Sequence, residues 1–195
     1  MLNKRTQKII DFLKEIEKLK LVWRVNYLTD QKTREDDAQH SWHLAMMILV
    51  FADELKVKFS VEHTIKLALV HDIGEIHTGD SWSLKPDKKQ KHADEDTAIK
   101  KVLSILPKDL QKELYNLWLE YENGQTVEAK VAKAFDKIIY SVQYAAAKKI
   151  EWDQRTSIYE SRQYALPYLE FEPKLIEILD ELLKEAPEYY EPAEK

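Results

Sequence analysis

A chain with almost no glycine has few places where it can turn sharply, and this one has three glycines and six prolines among 195 residues. Sheet-rich folds need frequent turn residues, because tight hairpins place residues at positive φ. Their scarcity, beside 33% charged residues, points to helices joined by few connections. An apolar share of 44% is enough for one core, so residues 1–195 read as a single domain. The longest purely apolar run, Leu44 to Ala52, is far shorter than the roughly 20 residues of a membrane span. Met1-Leu-Asn-Lys-Arg5 leads into charged helix rather than into a signal-peptide core. With no cysteine there are no disulfides, which suits the cytoplasm. A formal charge of −5 argues against binding a nucleic-acid polymer, although a local basic pocket could still hold a phosphate.

Apolar periodicity divides the chain into helices. Thr6 to Leu21 carries Ile9, Ile10, Phe12, Leu13, Ile16 and Leu19 on one side. Trp23 to Asp37 breaks that period and reads as a polar loop, with Asp36 or Asp37 capping a helix from Ala38 to Leu55. Ser60 opens a helix that ends near Asp72, and Gly74 is a natural stop. Ile76 to Pro86 reads as irregular and Asp87 to Leu106 as helical. Pro107 starts a helix to about Tyr121, and Thr126 caps a long one through Ala147. Two C-terminal helices, about Ser157 to Leu166 and Glu172 to Lys184, occupy the region 153–186 before a frayed acidic tail at 187–195. No strand-like alternation is visible, and the expected class is all-α.

The run Leu67-Ala-Leu-Val70 ends in His71-Asp72. A histidine and a carboxylate closing a buried stretch are costly to hide without a partner. A divalent cation suits both, since it accepts imidazole nitrogen and carboxylate oxygen together. His40 lies in line with Leu44, Met47 and Phe51, where on the residues alone a core histidine with a backbone partner is the more ordinary outcome. His40 with His43 could imitate a zinc pair, but no cysteine or second such pair completes a tetrahedral set. Asp136 falls beside the stripe of Val131, Phe135, Ile138 and Val142, and spacing alone does not choose between a ligand and a partly solvated aspartate.

In order, His40, His71-Asp72 and Asp136 on three helices resemble the ligand signature of the HD-domain metal-dependent phosphohydrolases. The surrounding stretches Arg34-Glu-Asp-Asp-Ala-Gln-His-Ser-Trp-His43, Leu67-Ala-Leu-Val-His-Asp-Ile-Gly-Glu75 and Thr78-Gly-Asp80 are similar to the branch that contains 5′-deoxynucleotidases. So are Leu106-Pro-Lys-Asp-Leu-Gln-Lys-Glu-Leu114, Leu117-Trp-Leu-Glu-Tyr-Glu122 and Glu128-Ala-Lys-Val-Ala-Lys-Ala-Phe-Asp136, so the resemblance covers about residues 7–145. It implies a helical bundle with one divalent metal ion between helices, held by His40, His71, Asp72 and Asp136. The metal would be manganese, cobalt, iron, zinc or magnesium. It further implies Arg24 on the phosphate, Glu75 handling protons, Asp80 on the sugar and Ser81, Trp82 and Ser83 at the pocket rim. The expected reaction is release of phosphate from a small phosphorylated metabolite, a (deoxy)nucleoside 5′-monophosphate first among candidates, by a homodimer.

The chain also departs from those relatives. Gln39 stands where they carry an acid before the first histidine, Val25 where they place tryptophan after the arginine, and Trp82 where proline is common. These positions bear on deoxyribose selectivity rather than on the metal. Lys85 and Lys137 read as solvated lysines. The alternatives are a phosphodiesterase or nucleotide pyrophosphohydrolase, a non-hydrolytic nucleotide sensor, and a two-iron oxygenase that would enlist His77 and His92.

Overall fold

A computed structural model describes residues 2–30, 32–80, 88–147 and 158–186. The first helix, α1 (Lys4–Ile16), is capped by Asn3, whose side chain accepts the Thr6 N–H at 2.8 Å. It does not continue to Leu21: residues Glu17–Leu21 tighten into a 3-10 turn that buries Leu19.

The segment expected to be a loop is an antiparallel ribbon, β1 (Trp23–Tyr27) and β2 (Arg34–Asp36), with Trp23 opposite Asp36 and Tyr27 opposite Arg34. Trp-Arg-Val-Asn-Tyr is rich in the aromatic and β-branched side chains that strands favour. Its register is irregular, which hides the alternation by which a strand is recognised. The turn uses no glycine. Asp30 accepts the N–H groups of Lys32 and Thr33, each at 2.9 Å, so its carboxylate does the work of a turn residue.

Helix α2 (Asp37–Phe51) starts at a capping box: the Asp36 side chain accepts the Gln39 N–H at 2.8 Å, and Gln39 accepts the Asp36 N–H at 3.1 Å. Asp36, not Asp37, is therefore the cap. Gln39, unusual beside the relatives, serves that cap. Next come α3 (Val61–Val70), the short α4 (Glu75–Thr78) and α5 (Lys88–Leu103). Helix α4 occupies the start of a stretch expected to be irregular, and Gly79 ends it at φ +72°.

Helices α6 (Lys108–Asn123) and α7 (Val127–Ala146) are separated by Gly124 in the left-handed region, φ +60°. The bundle is organised around α7, which packs against α2, α3, α6, α8 (Ile158–Leu169) and α9 (Pro173–Glu185). Val131, Phe135 and Ile138 are fully buried along it, as the periodicity requires. Helix α8 runs three residues past its expected end at Leu166, with Pro167 inside it.

Glu172 fastens this C-terminal pair to the rest. It caps α9 through the Lys174 N–H at 3.2 Å and accepts the Lys56 and Val57 N–H groups, each at 2.9 Å, from the α2–α3 connection. The residue is 1% exposed. Burial alone would raise its carboxyl pKa, but the N–H groups of Val57, Lys174 and Lys56 outweigh it and hold the value below 4.5. Glu172→Ala is expected to cost about 2–4 kcal/mol at pH 7, because three N–H groups lose a charged acceptor. Since the folded pKa is depressed, the wild-type advantage is complete above about pH 4.5 and shrinks as the pH falls below it. Urea unfolding of both proteins at pH 7 and pH 3 checks this.

Candidate active site

Helix α3 carries its apolar face into the core and ends on His71, whose N–H still bonds Leu67 at 3.1 Å. The His71 ring turns back on its own helix: Nδ1 lies 2.7 Å from the Ala68 carbonyl, so Nδ1 carries the proton and Nε2 presents a lone pair. That Nε2 is buried with no hydrogen-bond partner, 3.0 Å from Asp72 Oδ2. From α2, one turn after its cap, the fully buried His40 brings Nε2 to 3.0 Å from Asp136 Oδ1 and 4.0 Å from Asp72 Oδ2. Ligand atoms of His40, His71 and Asp72 lie within 4.8 Å of one another, and Asp136 joins through its contact with His40.

The electrostatics suit a cation. Burial and Arg24 push the His40 pKa down to about 4, leaving a neutral imidazole. Burial would raise the Asp136 pKa, but Lys137 and His40 hold it well below the usual carboxylate range. Asp72 likewise stays ionised against its burial, because His71 and Arg24 favour the charge. The His71 pKa is raised, since Asp72 overcomes the desolvation of the ring. An orphaned imidazole nitrogen, a neutral histidine and two ionised carboxylates at such separations are a donor set that fits a divalent ion.

Arg24, on β1, reaches the other side of Asp72. Its Nη1 lies 3.2 Å from Asp37 Oδ1 and 3.3 Å from Asp72 Oδ2, and its Nε 3.5 Å from Glu35 Oε2. Burial opposes its charge, yet Asp72, Asp80, Asp136 and Asp37 raise its pKa beyond any titration range of interest. Glu75 opens α4, one turn beyond His71, and is 7% exposed. Oxygens of Asp37, Glu75 and Asp80 come within 4.8 Å of one another. Burial and the charges of Asp72, Asp80 and Asp37 push the Glu75 pKa well above 4.5, and burial with Asp72 pushes Asp37 up to about 7. Three carboxyls so close relieve their repulsion by holding protons. Arg24, His71, Asp72, Glu75, Asp80 and Asp136 line a cavity of about 260 Å³.

A model of the HD domain matches residues 16–178. The chain belongs to the HD-domain family. It is 33% identical to the human 5′-deoxynucleotidase HDDC2 over 145 residues, 73% of this chain and 70% of that one. A Dictyostelium discoideum protein of the same name is 32% identical over 142 residues, 66% of this chain and 71% of its own. Among solved structures, a "predicted metal-dependent phosphohydrolase" from Magnetospirillum magnetotacticum superposes with a TM-score of 0.81 at 29% identity, over 95% of this chain and 100% of that one. A conserved hypothetical protein from Pyrococcus furiosus gives 0.65 at 28%, over 90% and 99%.

Within this HD domain the residues singled out from sequence are distributed as follows. His40, His71, Asp72 and Asp136 converge, and Arg24, Glu75 and Asp80 line the same cavity or its wall. Ser81, Trp82, Ser83 and Lys85 lie outside the described residues. Val25 is not among the residues lining the cavity. His77 sits 3.8 Å from Glu15, away from the cluster, and His92 stacks on Trp118 and bonds Glu122, so neither joins the two histidines of the site. His43 is likewise apart, beside Trp42.

Several participants escaped notice in the sequence. Glu35 and Asp37 read as part of a polar loop and a cap, although two nearly unexposed acids neighbouring an arginine strand are the signature of a buried ion cluster. Tyr121, whose hydroxyl donates to Asp136 Oδ2 at 3.2 Å, read as a helix terminus. Lys137 is the clearest correction: it is not solvated, its side chain being 20% exposed with Nζ 2.7 Å from Asp136 Oδ2. Removal of one ligand should abolish metal binding, so Asp136→Ala is expected to lose the divalent ion that the wild type binds in calorimetry, with its helical circular dichroism retained. Unchanged metal content would remove Asp136 from the ligand set.

Proposed function

We propose that this HD domain is a metal-dependent phosphohydrolase that releases phosphate from a (deoxy)nucleoside 5′-monophosphate. The reading is carried by one observation. Two imidazoles and two carboxylates converge beside a buried guanidinium and a proton-holding glutamate at the wall of one cavity. The names of the curated relatives support the substrate class.

His40, His71, Asp72 and Asp136 would hold one divalent ion. When bound, such an ion acidifies a water ligand and polarises a phosphoryl oxygen. Arg24, fixed by Glu35, Asp37 and Asp72, orients the phosphate dianion and meets charge that builds on its oxygens. Glu75, whose burial keeps it protonated, gives its proton to the leaving 5′ oxygen as the phosphorus–oxygen bond breaks and the bond to water oxygen forms. Asp80, on the residue after Gly79, faces the sugar. Water in the cavity restores the Glu75 proton.

Three finer points belong to the same reading. One ion is proposed, at the group that contains both histidines; in the second carboxylate group, Asp37, Glu75 and Asp80, Asp37 is paired with Arg24 at 3.2 Å. The protein works in the cytoplasm, consistent with a chain free of cysteine. Among the described residues no helix is long and apolar enough to cross a membrane. It assembles as a homodimer, for which the exposed stripe Trp42, Met46, Leu49 and Val50 along one face of α2 provides apolar surface. Trp42→Glu is expected to halve the mass measured by light scattering, and a wild type that is already monomeric would remove the dimer.

The activity is tested by phosphate release from ribo- and deoxyribonucleoside monophosphates, diesters and triphosphates across several divalent metals. Release from monophosphates is expected, with Glu75→Gln keeping the metal and turning over about 10²-fold more slowly or worse. Release confined to diesters or triphosphates would replace the monoesterase by a diesterase or pyrophosphohydrolase. No release from any substrate by metal-loaded protein would point to a sensor.

A further inference from the structure

The charge on Lys137 is more than Asp136 needs and better placed than a surface lysine would be. Lys137 follows Asp136 on α7, yet it lines the cavity instead of leaving the helix for solvent. Toward α8, the ammonium lies 5.7 Å from the centre of the Tyr164 ring and 5.6 Å from that of Tyr168. Tyrosines one helical turn apart thus make a shelf that holds a cation by its aromatic rings. An ammonium has three N–H donors. Among the described residues Asp136 Oδ2 takes one, at 2.7 Å, and Lys137 lines the cavity in which an anion could take another.

The placement relative to Arg24 is equally telling. His40 Nε2 has Asp136 on one side, at 3.0 Å, and Asp72 on the other, at 4.0 Å. Arg24 pairs with Asp72 and Lys137 with Asp136, and all four line the same cavity, so two largely enclosed cations stand beside different carboxylates of the candidate ligand set. An anion entering the cavity and resting against the ligand cluster would meet both cations.

We propose that Lys137 is a substrate-binding residue: held on the Tyr164–Tyr168 shelf, it donates to a phosphate oxygen and, with Arg24, clamps the phosphate group over the metal ligands. This rests on the phosphohydrolase reading above and adds to it a phosphate contact supplied by α7 and α8. The competing role is purely structural, in which Lys137 only steadies Asp136. The two roles separate on which ligand they affect.

The experiment measures three affinities by calorimetry on the metal-loaded full chain: for manganese, for inorganic phosphate, and for a deoxynucleoside lacking phosphate. Lys137→Gln is expected to weaken phosphate binding about 10- to 100-fold, the span of a charge-assisted hydrogen bond, with manganese and deoxynucleoside affinities within about twofold of wild type. Lys137→Arg should recover part of the phosphate affinity. Tyr168→Leu, which removes one wall of the shelf and leaves both charges, should weaken phosphate binding by less than Lys137→Gln. It also serves as the test if the lysine variant does not fold. Unchanged phosphate affinity in folded, metal-loaded Lys137→Gln overturns the proposal. So does loss of manganese with normal phosphate affinity once the site is refilled, which assigns Lys137 to steadying Asp136. If the wild type hydrolyses no nucleotide yet loses phosphate affinity on Lys137→Gln, the nucleotidase reading fails and the phosphate contact stands.

Discussion

One buried guanidinium holds the site together. Arg24 reaches from β1 to Glu35 on β2, Asp37 at the first turn of α2, and Asp72 just past the end of α3. Glu35 and Asp37 are nearly inaccessible to water and Asp72 is largely enclosed, so negative charge on any of them needs a cation beside it. The ribbon, the start of α2 and the end of α3 are thereby tied at one point. Two of them, α2 and α3, deliver His40 and His71. Removing one partner of a buried pair of this kind costs about 3–5 kcal/mol, so Arg24 is structural and chemical at once.

The balance of charge also explains how carboxylates a few ångströms apart behave differently. Asp72 and Asp136 face imidazoles and cations and remain ionised, the state in which a carboxylate can take up a metal ion. Asp37 and Glu75 face other carboxylates, and with burial this raises both carboxyl pKa values, Asp37 to about 7. Ligation and proton transfer ask for opposite protonation states, and here a single cluster provides both.

Much of this was legible in the sequence, and the exceptions have physical causes. The helices follow from apolar period, and the scarcity of glycine correctly predicted so little sheet. The His40, His71-Asp72 and Asp136 pattern stands out because histidine and aspartate on buried faces are rare. The ribbon was invisible because its strands are short and out of regular register, and its turn is made by Asp30 in place of glycine. Lys137 was misread for a different reason. A lysine beside a buried stripe is ordinarily at the surface, and only the return of α8 across α7 encloses it. Such enclosure is a property of long-range packing, which a helical wheel does not contain. Gln39 illustrates the reverse: a departure from relatives that looked functional belongs to the α2 cap.

The Glu172 clasp carries an implication for how such a domain can change over time. The candidate metal ligands come from α2, the end of α3 and α7, whereas the tyrosine shelf comes from α8, followed by a carboxylate that grips the α2–α3 connection. The four candidate ligands and the tyrosines of the cavity wall therefore lie on different stretches of chain, tied among the described residues by the Glu172 clasp and by the Tyr140 hydroxyl on the Ser161 carbonyl at 2.9 Å. With those ties kept, α8 can change its cavity-facing side chains without moving the helices that carry the two histidines.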